Sequence, residues 1–146
     1  QSLIRRTIEV DDNVISSSNS IMAINLYKFY KLYPGEGYGA LSEQRLKNVQ
    51  KDVDRRAQGF ANWLHLVLFQ NQDFYEIAIL GEDYKSLGQQ IGKEYVPNSI
   101  LAGSRKEGNL ELLKNRENPN KTLVYVCIEG ACKLPVTKVE EALKQL

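Results

Sequence analysis

The sequence predicts a mixed α+β fold: a helical segment over residues 1–71, then a small α/β domain over 72–146 with a mostly parallel sheet in a three-layer-like arrangement. Three observations lead there. After Asn71-Gln72-Asp73 the apolar pattern changes from helical spacing to short apolar runs that alternate with helical stretches. The later runs follow the order strand, helix, strand, strand, helix, and parallel strands joined by right-handed crossovers are the expected result. Before residue 71, two helical stretches are apolar nearly all round, which marks helices that expect neighbours on every side.

The first helix is predicted over 21–33. Ser16-Ser17-Ser18-Asn19-Ser20 supplies several side chains able to cap it, and Pro34-Gly35 stops it. Its polar positions Asn25, Lys28 and Lys31, spaced by three, form one narrow stripe. Ile21, Met22, Ile24, Leu26, Tyr27, Phe29, Tyr30 and Leu32 occupy the rest of the circumference. The second helix, over 40–56, has only a slim apolar stripe of Leu41, Leu46, Val49 and Val53, as an outer helix does. A third, over 58–69, is again apolar almost throughout, relieved by Asn62 and His65. Two such helices around one amphipathic helix need more partners than this stretch supplies. The expectation is a homodimer or larger assembly that buries Met22, Phe29, Trp63 or Leu66.

In the second half, 74–80 reads as a strand ended by Gly81, and 82–95 as a helix stopped by Pro97. A second strand follows at 98–102, a loop at 103–108 and a short helical turn within 109–115. Asn118-Pro119-Asn120 turns the chain into the strongest strand, 122–127, and Thr137 is placed to cap a last helix over 138–145. The expected strand order is second–first–third.

Composition narrows the function classes. Hydrophobic content of 42% and charged content of 25% are ordinary for a globular domain. A net charge of +1 with interleaved signs provides no field to steer nucleic acid or an anionic membrane, so neither is an expected partner. No apolar run approaches the roughly 20 residues that span a bilayer. The opening Gln1-Ser2-Leu3-Ile4-Arg5-Arg6 lacks the apolar core of a signal peptide, and the chain reads as a C-terminal fragment of a cytoplasmic protein.

Candidate chemistry centres on Cys127 and Cys132, in a C-x4-C spacing around Glu129-Gly130. A hairpin turn there would bring the thiols near one another, so a reversible pair is geometrically possible. Metal binding needs about four ligands, and the single histidine, His65, is on another element. Two reduced, largely buried thiols with a packing role are the preferred expectation, with Lys133 the only nearby cation; a redox pair comes second and a metal site third. No cofactor or metal is expected. Gly35-Glu36-Gly37-Tyr38-Gly39 follows a helix, so it reads as a helix–helix connection. Gly103-Ser104-Arg105-Lys106 follows a strand but reads as a solvated loop. Asp11 and Asp12, with Glu9 nearby, form a carboxylate cluster of the kind that does acid–base work on sugars, or merely favours a helix start.

Residues 10–32, with Ser16-Ser17-Ser18-Asn19-Ser20 ahead of an apolar helix, and Tyr125-Val126-Cys127-Ile128-Glu129-Gly130-Ala131-Cys132-Lys133-Leu134-Pro135-Val136 carry a family resemblance. Together they resemble the C-terminal end of the spermatogenesis-associated, thioredoxin-domain-containing proteins and their bacterial YyaL-type relatives. That family joins a thioredoxin-like domain, an α/α toroid like that of six-hairpin glycosidases and sugar epimerases, and a small α/β tail. The resemblance implies that 1–71 is the end of the toroid and 72–146 the tail, with the rest of its own chain as partner. It implies Ser18, Asn19 and Ser20 at the toroid mouth, and Cys127 and Cys132 as the tail's cysteine pair. Three functions follow as expectations. The first is a non-catalytic, structural or capping C-terminal piece. The second is part of a carbohydrate-active epimerase or glycosidase that binds sugar through Asp11, Asp12 or His65. The third is a thiol-redox accessory domain.

Overall fold

A computed structural model describes residues 8–146. The chain forms two compact units. One holds the residues up to Tyr30 together with 34–71; the other holds 31–33 and 72–146.

The first unit holds α1 (Ser18–Leu32) up to Tyr30, then α2 (Tyr38–Arg55), a 3-10 turn (Ala57–Gly59) and α3 (Ala61–Asn71). Ala23, Leu26 and Tyr27 of α1, Val49 and Val53 of α2, and Phe60, Trp63 and Leu66 are buried. Of the slim stripe read on α2, Val49 and Val53 pack and Leu46 is half-buried, but Leu41 is 54% exposed; Ser42 takes its place on the packed face and donates to the Ala23 carbonyl at 2.8 Å. The Tyr27 hydroxyl donates to the Phe69 carbonyl at 2.6 Å, and the two rings stack. Trp63 and Leu66 are therefore enclosed within the single chain. That corrects the expectation that they bury against a second copy: residues three apart on α3 share one face, that face is turned into the chain's own core, and the Trp63 indole N–H donates to the Val10 carbonyl at 2.8 Å. Met22 and Phe29 stay 48% exposed.

The second unit is built on a four-stranded sheet in the order β2-β1-β3-β4, with β1 Tyr75–Leu80, β2 Ser99–Ser104, β3 Leu123–Ile128 and β4 Ala131–Cys132. The expected order of the first three strands holds, with β1 central. The mostly parallel sheet does not: β1 and β2 are parallel, whereas β3 runs antiparallel to β1 and β4 to β3. The connections explain this. Between β1 and β2 lies α4 (Tyr84–Ile91), a helical crossover that returns the chain to its starting end. Between β2 and β3 the only regular element is a 3-10 turn (Glu111–Leu113), and Ser104 and Leu123 both stand opposite Leu80. The chain thus re-enters the sheet at the end it left, and β3 runs back. The architecture is a mixed α+β one.

Ile77, Ile79, Val124 and Val126 point to one face and pack with Ile91 of α4 and with Val139 and Ala142 of the last helix, α5 (Val139–Leu143). Ala78 and Leu80 point to the other, under Leu112 and Leu113 of the 3-10 turn. Thr137 does not cap α5; Lys138 stands at the cap position and its side chain makes no capping bond. Gly81, which ends β1, has φ +130°, and a Cβ there would lie 2.5 Å from the Thr122 Cα. Gly81→Ala is expected to cost about 2–4 kcal/mol, since neither the dihedral nor the backbone of Thr122 accommodates a methyl. A thermal melt that matches the parent would refute this.

Candidate functional site

The site grows from the hairpin between β3 and β4. Glu129 and Gly130 both have positive φ, 49° and 77°, the pattern of a type I′ two-residue turn whose twist suits the flanking strands. Next along the ladder, the Lys133 N–H donates to the Val126 carbonyl at 3.0 Å. Cys127 and Cys132, between that pair and the turn, therefore occupy a non-hydrogen-bonded position, where facing Cα atoms come closest. Their Cα atoms are 3.9 Å apart and their sulfurs are joined in a disulfide. The expectation of two reduced, largely buried thiols is overturned in oxidation state, and in burial for Cys132. The I′ turn sets the two side chains face to face, and only Cys127 is buried (1% exposed), while Cys132 is exposed on a two-residue outer strand.

Arg116 completes the site. Its Nη2 donates toward the Cys132 sulfur at 2.8 Å and lies 3.6 Å from the Cys127 sulfur. The guanidinium is held from several sides. Nη1 donates to the Leu112 carbonyl, and the plane lies over the Tyr125 ring, 5.6 Å from its centroid. The Arg116 carbonyl accepts from the Tyr125 hydroxyl at 3.0 Å, and its backbone N–H donates to the Glu107 carboxylate at 2.7 Å. Backbone hydrogen bonds from Glu117 and Arg116 hold the Glu107 carboxyl below its usual range. Burial pushes the Tyr125 phenol up, against the nearby Arg116 charge, which lowers it. Sequence reading missed Arg116 because it lies in a stretch read as loop and turn, 11 and 16 residues from the two cysteines. Lys133, the cation it did name, turns its ammonium to the Gln145 carbonyl.

Glu76 of β1 stands opposite Cys127 in register and so shares its face of the sheet. One carboxylate oxygen accepts from the Gly130 N–H at 3.1 Å, and the other lies 3.5 Å from the Lys31 ammonium, which also holds Glu129. These carboxylates are engaged with Lys31 and with the turn.

The acidic cluster does a different job. Asp12 accepts from the Ser17 N–H at 3.0 Å, the Ser20 hydroxyl at 2.6 Å, the Asn62 N–H at 2.9 Å and the Asn62 side-chain amide at 2.9 Å. It therefore satisfies donors at the starts of both α1 and α3. Burial alone would raise its pKa, but the hydrogen bonds from Ser20, Asn62 and Ser17 outweigh that and hold the carboxyl below its usual range. Asp11 pairs instead with Arg56 at 3.0 Å. Asn19 donates to the Glu9 carbonyl, Ser18 is exposed, and His65 is exposed and stacked on Phe69. Asp12 and Ser20 are brought together as a helix-start device; His65 is not brought to them. Among the described residues, no three His, Cys, Asp or Glu side chains are grouped to hold a metal ion, and no helix is long and apolar enough to cross a membrane.

These features define a small mixed α+β protein whose distinctive chemical group is a cross-strand disulfide under an arginine. Compared with protein families, with curated proteins and with solved structures, the chain matches none.

Proposed function

We propose that the second unit is a thiol–disulfide exchange module whose reactive group is the Cys127–Cys132 pair. The observation that carries this reading is the placement of the bond: one sulfur is on the surface, at the edge of the sheet, with a fixed cation against it. A disulfide that closes a loop this short is a weak staple, contributing roughly 2 kcal/mol in the chain-entropy treatment against about 4.7 for a 100-residue loop. The sheet around it has a packed apolar core on each face, which supports the unit besides the bond. A cytoplasmic setting suits the reading, because disulfides there are as a rule transient and used for exchange or sensing.

The competing reading is a purely structural bond, as a capping tail would have, and reduction potential separates the two. Equilibration of the protein in glutathione buffers, read by thiol trapping, is expected to give a midpoint between about −180 and −270 mV, with the fold retained in both states. A midpoint below about −300 mV, or loss of the fold on reduction, would establish the structural bond and end this proposal.

A further inference from the structure

We infer that Cys132 is the sulfur attacked by the partner, that Cys127 departs as the thiolate, and that Arg116 favours the reduced pair, so that the module accepts electrons from a dithiol. This rests on the exchange function proposed above and goes further by assigning a role to each sulfur and to the arginine.

The assignment of the sulfurs follows from access. An incoming thiolate has to approach along the S–S axis from behind the sulfur it attacks, and access is one of the determinants of exchange rate. Cys127 lies within β3, between β1 and β4, and its sulfur is shielded. Cys132 lies on β4, the last strand of the sheet, and is exposed. The partner thiolate therefore bonds to the Cys132 sulfur, the bond to Cys127 breaks, and its electron pair leaves on the Cys127 sulfur. The partner's second thiolate then attacks the partner's own sulfur in the mixed disulfide and releases Cys132 as a thiolate. The partner dithiol is oxidised to a disulfide, Cys127 and Cys132 are reduced by the same two electrons, and each takes a proton from water as its pKa requires.

Arg116 acts on both leaving steps. Its Nη2 is within hydrogen-bonding reach of one sulfur and close to the other, so each thiolate forms beside a positive charge that is already in place. The hydrogen bonds to Leu112 and Glu107 and the stacking on Tyr125 fix it there. No carboxylate among the described residues lies within ion-pair distance of the guanidinium to cancel it. The other charged groups around the pair are Glu76 on β1 and Glu129 in the turn, both engaged with Lys31, and Lys133, whose ammonium faces the Gln145 carbonyl. Glu107, by contrast, is bonded to the Arg116 backbone.

Two measurements on the whole chain test this. In the first, C127S and C132S proteins are reacted with glutathione disulfide at neutral pH. The Cys132 thiol is expected to react at least tenfold faster than the Cys127 thiol, and equal rates or the reverse order would overturn the assignment of sulfurs. In the second, R116Q is equilibrated against glutathione beside the parent. The expected shift is about tenfold in the equilibrium constant toward the disulfide, about 30 mV for this two-electron couple, with R116K recovering part of it. An R116Q equilibrium equal to the parent's would overturn the role of Arg116 while leaving the exchange function intact. A parent disulfide that glutathione does not reduce would instead bring down the function itself. If R116Q fails to fold, the pH profile of Cys132 alkylation in C127S decides: a midpoint below the ordinary thiol value of about 8.5 supports the role, and one at or above it refutes it.

Discussion

Lys31→Met is expected to destabilise the protein by about 3–5 kcal/mol in urea denaturation. Lys31, which groups with the second unit, has a side chain only 2% exposed, and Glu76 beside it is 8% exposed. The ammonium also holds Glu129 and lies 5.8 Å from the centre of the Phe74 ring. Removing the cation leaves the Glu76 carboxylate in a site poor in water with its main counter-charge gone, and that uncompensated burial is the source of the cost. Replacing the pair together isolates the cause. Lys31→Met combined with Glu76→Met should recover most of the loss, since exchanging a buried ion pair for apolar side chains is often close to neutral. A single variant that loses less than about 1 kcal/mol, or a double variant no better than the single, would show that the pair is not what holds this region.

Asp12→Ala is expected to cost about 2–4 kcal/mol, more than an ordinary cap. An N-cap side chain is worth about 1 kcal/mol for one helix. Asp12 serves the starts of two, and its removal takes their side-chain acceptor from the Ser17 and Asn62 N–H groups, while the Ser20 hydroxyl keeps the Ser17 carbonyl at 2.9 Å. Asp12→Asn, which keeps one acceptor oxygen, should fall between the parent and Asp12→Ala. The pH dependence has a definite sign. The folded-state carboxyl is held below its usual value, so its contribution is fully present above the unfolded value of about 3.9 and is lost as pH falls through the folded value. The stability difference between parent and Asp12→Ala should therefore shrink on acidification below about pH 4. A difference that stays constant from pH 6 to pH 2 would mean that the charge of Asp12 plays no part.

The particular elements show where local information was enough. The 21–33 helix, the slim apolar stripe of α2 and the strand at 74–80 are each set by spacing within about a dozen residues, and α1, α2 and β1 form close to those positions. The central place of β1 agrees with the expected order, and its burial on both faces is what that place requires. The direction of β3 was not legible. It depends on whether the 18 residues between Ser104 and Leu123 cross the sheet or return at the same end, and nothing in their local pattern distinguishes these. That Trp63 and Leu66 are covered within the chain was not legible for a similar reason: counting apolar residues around a helix does not reveal how much of the circumference its own chain covers.

The site divides along the same line. The sequence by itself determined that two cysteines would flank a Glu-Gly turn, because turn chemistry and strand pattern are local. Only the tertiary structure decided that Cys127 is buried while Cys132 is exposed, and that Arg116 lies against both sulfurs. Equally, Asp12 could be read as acidic and near a helix start, but its partner in the first turn of α3, Asn62, lies 50 residues later. Contacts of that kind arise where packing of the core brings distant segments together, and a spacing pattern along the chain carries no record of them.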